Sequence, residues 1–325
     1  MLANNNEAII NKLAKNSVKT NKKQYAILFF TIILSAFMLF CVFTIGMTYL
    51  NSSRLQNTRL NGAEYDIVTM NGFTSEQLNT LQQNENIRSV GIESYAGFIQ
   101  STEYDKTVEI GLLWCDEVFW DNLMSPARTK LDGHYPQNKN ELMVTKDILK
   151  TCGNENLSVG DSLILTYENN TGVYTDEFVI SGIWDGYGDT SAGFVSKAFY
   201  DETGYDLKNN GILCIKLNCN YVFPTTIQSI EKSLDFSDRQ IFAPTGYIEN
   251  SFKLLLGICG LALVICLSAY LLIYNILYLS VSGKIRYYGL LQSLGMTKKQ
   301  LVRFIIKQMI PVSYTHLRAH ETGRN

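Results

Sequence analysis

The 325-residue chain has three histidines, and two of them fall in its last ten residues. His134 is therefore the one imidazole in the body of the chain, within Leu131-Asp-Gly-His-Tyr-Pro136. A histidine triad, a zinc site or a proton relay would have to be built on that residue, and the flanking Gly and Pro make the segment an exposed turn. The adjacent acids Asp116-Glu117 and Asp176-Glu177 lack the spacing of a catalytic pair and read as solvated surface. No G-x-x-x-x-G-K-[ST] phosphate loop and no glycine-rich nucleotide fingerprint is present. The sequence thus reads as no enzyme, with no catalytic residue, no metal site and no cofactor. What stands out is a contact chemistry over 286–300, RYYGLLQSLGMTKKQ. Leu290, Leu291 and Leu294 recur at helical spacing, and Gly295 follows as a helix stop. Thr297-Lys-Lys-Gln300 is a capping box that opens a second helix through Leu301, Phe304, Ile305 and Ile306. An ordinary juxtamembrane amphipathic helix would explain the Lys and Leu content, but it does not require the Gly-Met-Thr break.

Two uncharged segments position this stretch. Residues 25–50 and 254–283 carry no charge and are longer than the roughly 20 residues needed to cross a bilayer. A cleaved signal peptide is the other reading of the first. Its apolar run exceeds the roughly 7–15 residues of a signal core, and no A-x-A-like site follows. The formal net charge of −2 hides a sorting of charge. Residues 50–253 hold 15 Lys+Arg against 28 Asp+Glu, a net of −13, which leaves the two ends at +11. Lys12, Lys15, Lys19, Lys22 and Lys23 precede the first span, and Lys284, Arg286, Lys298, Lys299, Arg303 and Lys307 follow the second. Cationic flanks stay in the cytoplasm, so 51–253 is expected outside the membrane. Thirty uncharged residues exceed the bilayer core as a helix, so the second span must tilt or protrude.

Within the first 24 residues, Ile9, Ile10, Leu13 and Val18 form one apolar stripe among lysines. The stripe reads either as a basic anchor flanking the span or as a helix lying in the inner headgroup layer. The outer region reads as mixed α and β. Strand-like runs are expected at 65–70, 107–114, 141–145, 162–167, 177–183 and 212–217. Capping boxes at Thr74–Gln77 and Thr225–Gln228 each open a helix. No repeat or low-complexity linker divides the region, which is expected to be one compact domain, with or without two lobes. Cys115, Cys152, Cys214 and Cys219 stand there at spacings that imply no disulfide framework. Cys214 and Cys219 would point to opposite faces of one strand, so free thiols are expected.

The stretch Arg-Tyr-Tyr-Gly-Leu-Leu-Gln-Ser-Leu-Gly-Met-Thr-Lys-Lys-Gln over 286–300 resembles the segment that follows the second helix of FtsX/MacB-type ABC transporter permeases. The runs at 133–147, 157–161 and 178–183 are similar in order and spacing to that family's extracytoplasmic core. The resemblance implies a membrane protein with two transmembrane α-helices flanking a mixed α+β extracytoplasmic domain of MacB-like core type, in a bacterial plasma membrane. It implies that Tyr288, Gly289, Leu290, Leu291, Ser293, Leu294, Gly295 and Met296 form a coupling helix that docks on a cytoplasmic ABC ATPase subunit. A second permease copy or partner permease and membrane lipids are further implied partners, and nucleic acid is not. Tyr287 stands where family members often carry an acid. The chain then divides into a cytoplasmic N-terminus (1–24), helix one (25–50), the outer domain (51–253), helix two (254–283), the coupling segment (284–303), the start of a third helix (304–311) and a tail (312–325) expected to be non-native, the chain being truncated before its remaining helices. A truncated two-helix sensor, of kinase or chemoreceptor type, shares this topology but should continue its second helix into heptads. Gly289, Gly295 and the Thr297 cap interrupt any heptad.

Overall fold

The computed structural model describes residues 7–100, 110–187 and 192–307. The expected tail, residues 308–311 of the expected third helix and residues 107–109 of one expected strand lie outside the described residues. One compact unit falls within Met1–Met47 and Gly257–Asn325, and the other within Thr48–Leu256.

Two helices are long and apolar. α1 spans Glu7–Thr20 and leads into α2, Lys22–Asn61. The second apolar helix, α8, spans Gly246–Ser282. Both continue past the uncharged stretches that predicted them, α2 at its C-terminal end and α8 at its N-terminal end. Phe30, Phe40, Leu263 and Leu279 are exposed, as are most of the apolar side chains around them. A helix apolar on all sides and uncovered by protein is stable only in lipid, so the chain is a membrane protein with two candidate spans. Gly46 of α2 meets Ile258 of α8, and a Cβ at that glycine would lie 2.7 Å from Ile258 Cδ1. Small residues serve helix contacts in membranes in this way.

The other unit is one mixed sheet with helices. Its strands are β1 (Ile67–Met70), β2 (Ile87–Ile99), β3 (Ile110–Cys115), β4 (Arg128–Gly133), β5 (Glu141–Thr145), β6 (Ser162–Asn169), β7 (Gly172–Gly186), β8 (Ala192–Val195), β9 (Ile212–Leu217) and β10 (Ile241–Pro244). The order is β10-β1-β9-β2-β3-β8-β5-β7-β4, with β6 paired to both β2 and β7. α3 (Ser75–Gln83) and α7 (Pro224–Ser233) cover the half around β1 and β9, in a core of Ile67, Leu81, Ile215 and Ile230. α4 (Lys146–Thr151) and α5 (Lys197–Tyr200) cover the half around β5 and β7, in a core of Leu142, Leu163, Phe178 and Phe199. α6 (Leu207–Asn210) is a single turn before β9. Ile92 of β2 packs against both cores, so the halves share a sheet rather than dividing into lobes.

The long strand β2 is missing from the sequence-based expectations. Its run IRSVGIESYAGFI has the polar and glycine content of a loop. Gly91 explains part of this, because a Cβ there would lie 2.9 Å from Phe119 Cα, so the strand gives way to a π-helical turn at Val118–Leu123. The Thr225–Gln228 capping box does not form. α7 starts at Pro224, with Phe223 as an N-cap that makes no side-chain hydrogen bond. A proline at the first helical position is already set for the helix, which carries Thr225 inside it. The Thr74–Gln77 box forms as expected, with both reciprocal hydrogen bonds present. Cys219 lies beyond the end of β9 and is exposed, whereas Cys115, Cys152 and Cys214 are buried free thiols.

A buried ionic cluster ties the end of α2 to the sheet. Lys216 Nζ lies 3.2 Å from Asp66 Oδ2 and 3.1 Å from Glu64 Oε1, and Arg54 is 3.9 Å from Glu64. Asp66 Oδ2 also accepts from the Leu217 amide at 2.9 Å, and the Asp66 carbonyl accepts from the Thr245 amide at 2.8 Å. Burial raises the Asp66 pKa even though Lys216 and the Leu217 amide pull it down. The cluster therefore joins α2, β1, β9 and the approach to α8 through groups that water cannot readily replace.

Candidate functional site

α8 ends at Ser282, and the chain turns through Gly283 and Lys284, whose amides donate to Leu279 and Val281. α9 then spans Ile285–Ser293. Its end is a Schellman motif in every bond. Gly295 N donates to the Gln292 carbonyl and Met296 N to the Leu291 carbonyl, each at 3.0 Å. Gly295 has φ +98°, a left-handed conformation that a side chain disfavours. Thr297 and Gln300 close the capping box at 3.0 and 3.3 Å, and α10 runs over 298–307 of the described residues. The chain thus makes a helix, a glycine break and a capped helix within about twenty residues.

The eight expected contact residues do not share one face. Tyr288 is 6% exposed and points into a small core with Ile10 and Ala14 of α1 and Phe304 of α10. Leu291 and Met296 are half-buried, and Leu291 packs against that core. Gly289, Leu290, Ser293, Leu294 and Gly295 are exposed, with Leu290 at 58% and Leu294 at 77%. No side chain or backbone stands within 4 Å of a Cβ built on Gly289, so that flank of the helix is open. Ser293 Oγ donates to the Leu290 carbonyl at 2.8 Å, which leaves the surface between the two leucines without an outward donor from that hydroxyl. The result is a short helix with an apolar, unobstructed face, held from behind by Tyr288. The sequence reasoning missed the part played by α1. The 3.6-residue spacing of Ile10 and Ala14 was the available signal, but the spacing does not tell lipid from protein as the partner.

The other chemically suggestive residues serve the fold. Asp116 Oδ1 accepts from the Ile92 and Phe119 amides at 2.9 and 2.8 Å, so it is a half-buried cap of the π-helical turn rather than solvated surface. Asp176 accepts from the Tyr167 hydroxyl at 2.6 Å. His134 is exposed in its turn, with Nδ1 3.0 Å from the Tyr135 carbonyl. Glu93 of β2 lies opposite Cys115 of β3, near Cys214, Tyr65 and Tyr135. Burial pushes its carboxyl up to about 7. No group of three or more His, Cys, Asp or Glu among the described residues could hold a metal.

Two apolar helices, a mixed α+β domain between them and a capped helix pair after the second define a class of membrane protein. The family model described as FtsX-like permease C-terminal matches residues 259–315, which include most of α8, all of α9 and all of the described part of α10. The FtsX/MacB-like resemblance is therefore found in the segment whose motif suggested it. No curated protein matches the chain. The periplasmic region of MacB from Actinobacillus actinomycetemcomitans is 13% identical, with a TM-score of 0.39 over 60% of this chain and 95% of that one. The extracellular domain of the noncanonic ABC-type transporter YknZ from Gram-positive bacteria is 14% identical, with a TM-score of 0.33 over 51% of this chain and 87% of that one.

Proposed function

We propose that the chain is a permease subunit of an FtsX/MacB-type ABC transporter. A separate ATPase subunit docks on the exposed face of α9 from the cytoplasm and hydrolyses the ATP. Its movement passes through the membrane helices to the α+β domain, which stands outside a bacterial plasma membrane. A second permease subunit, identical or related, completes the pair of docking faces, and the chain itself does no catalysis. The observation that carries this reading is the face of Leu290 and Leu294. It is apolar and open, it sits just past an apolar helix, and it lies within the stretch matched by the permease family model. Exposed leucines at the end of a rigid capped turn are what a partner protein covers. The charge sorting supports the same sidedness, with the basic ends inside. The sensor reading needs a helix that continues into heptads, whereas α9 stops at Gly295.

Co-expression of the full chain with the ATP-binding protein encoded beside it tests the proposal. A complex that survives detergent extraction and purification is expected. A neighbouring gene set with a response regulator and no ATP-binding protein, together with no complex, would contradict it.

A further inference from the structure

Part of the apolar stripe of α1 is covered by protein, at Ile10 and Leu13, while Ile9 is exposed. Ile10 and Ala14 are almost fully buried against Tyr288 and Phe304, and Leu13, Val281, Leu291, Leu301 and Ile305 pack around them. All of these residues belong to one compact unit. Lys12, Lys15 and Lys19 are exposed on the rest of the helix. The Tyr288 ring meets Phe304 edge-on and has α1 residues in the same cluster. α9 has only nine residues, and a helix shorter than about 12 residues is marginal on its own in water. Its inward anchors are Tyr288 and Leu291, and both press on this cluster. Gly289, Leu290, Ser293 and Leu294 are carried on the same short rod, so a rotation of Tyr288 rotates all four.

We propose that α1 is a positioning strut for α9: Ile10 and Ala14 lock Tyr288 and thereby set the pose of the Leu290–Leu294 face. α1 then controls docking of the ATP-binding subunit without touching it. This rests on the proposed function for the identity of the partner, but not for the strut itself. Ala14 is the sensitive position. It is packed closely with an aromatic core, and a larger side chain there cannot be absorbed without moving Tyr288 or α1.

The test uses the full chain in lipid nanodiscs and two readouts. The first is amide hydrogen exchange over 285–296 without any partner. Ala14→Phe should speed exchange there by roughly tenfold, because the overpacked side chain must displace Tyr288 or α1. Ile10→Ala should give a smaller change, and Ala14→Ser and Lys15→Ala none. The second readout is co-purification with the ATP-binding subunit, which should fall for Ala14→Phe and Ile10→Ala in the order of their exchange effects. Tryptophan fluorescence of the outer domain should not change, which separates undocking from misfolding. Unchanged exchange in Ala14→Phe overturns the strut. Faster exchange with undiminished binding overturns its role in docking. If the wild-type chain binds no ATP-binding subunit, the proposed function fails, and the exchange data alone still decide whether α1 positions α9.

Discussion

The rings of Tyr288 and Phe304 meet at 82° with their centroids 6.4 Å apart, and this contact joins the two helices on either side of the glycine break. A short helix, a Schellman turn and a capped helix would otherwise hinge at Gly295. The aromatic pair closes the corner, and Ile10 and Ala14 close it from the side. Rigidity at this corner holds the exposed Leu290 and Leu294 in a fixed pose, as the proposed contact surface requires.

The corner depends on a backbone conformation that side chains resist. Gly295 has open space around it, so a substitution there is opposed by φ alone. Gly295→Ala is expected to cost about 1–2 kcal/mol locally and to loosen the turn. Gly295→Asn should be better tolerated, because asparagine enters the left-handed region more readily. Co-purification with the ATP-binding subunit should follow the order Gly, Asn, Ala. Equal binding by all three variants would remove the turn from the coupling surface.

The ionic cluster of the α+β domain has its own test. Lys216→Met leaves the buried Asp66 carboxylate without its cation and should destabilise the domain by about 3 kcal/mol or more. Lys216→Met combined with Asp66→Asn should recover part of that loss. Urea unfolding followed by the fluorescence of Trp114, Trp120 and Trp184 measures both variants. A loss under about 1 kcal/mol for Lys216→Met would mean that water already reaches the cluster.

Glu93 predicts a pH dependence. Burial pushes its folded pKa up to about 7, above the ordinary glutamate value of 4.5, so the folded state resists ionisation. Below pH 4.5 the group is neutral in both states and costs nothing. As the pH rises to 7 the unfolded chain ionises first, and stability falls by about 3 kcal/mol in total. Glu93→Gln should therefore stabilise the domain at pH 8 by roughly 2–3 kcal/mol and leave it unchanged at pH 4. An equal effect at both pH values would show that packing, and not charge, dominates at this position.

Local chemistry was legible in the sequence, and long-range placement was less so. The Thr74 and Thr297 boxes and the Gly295 stop each involve residues a few positions apart, so type and spacing sufficed. β5 and β9 match their expected bounds because each is a short run of Val, Ile, Leu or Met between polar punctuation. β2 was hidden because its glycines and polar residues answer to partners from other parts of the chain, such as the π-helical turn against Gly91. Thr225 misled because Pro224 claimed the helix start first. At the candidate site, the spacing of Leu290 and Leu294 marked a helix face. The inward turn of Tyr288 depends on α1, more than 260 residues earlier in the chain, and no local pattern contains it.

The most direct measurement is the binding of the ATP-binding subunit to a full chain carrying Leu290→Asp and Leu294→Asp. Both side chains are exposed, so the substitutions leave the Tyr288 core and the outer domain intact. Two carboxylates on an apolar docking face should weaken the complex by roughly a hundredfold, as burying an unpaired charge at an interface costs about 2–5 kcal/mol. Thermal unfolding of the outer domain should be unchanged. Binding at wild-type strength by the doubly substituted chain would contradict the assignment of this face as the coupling surface.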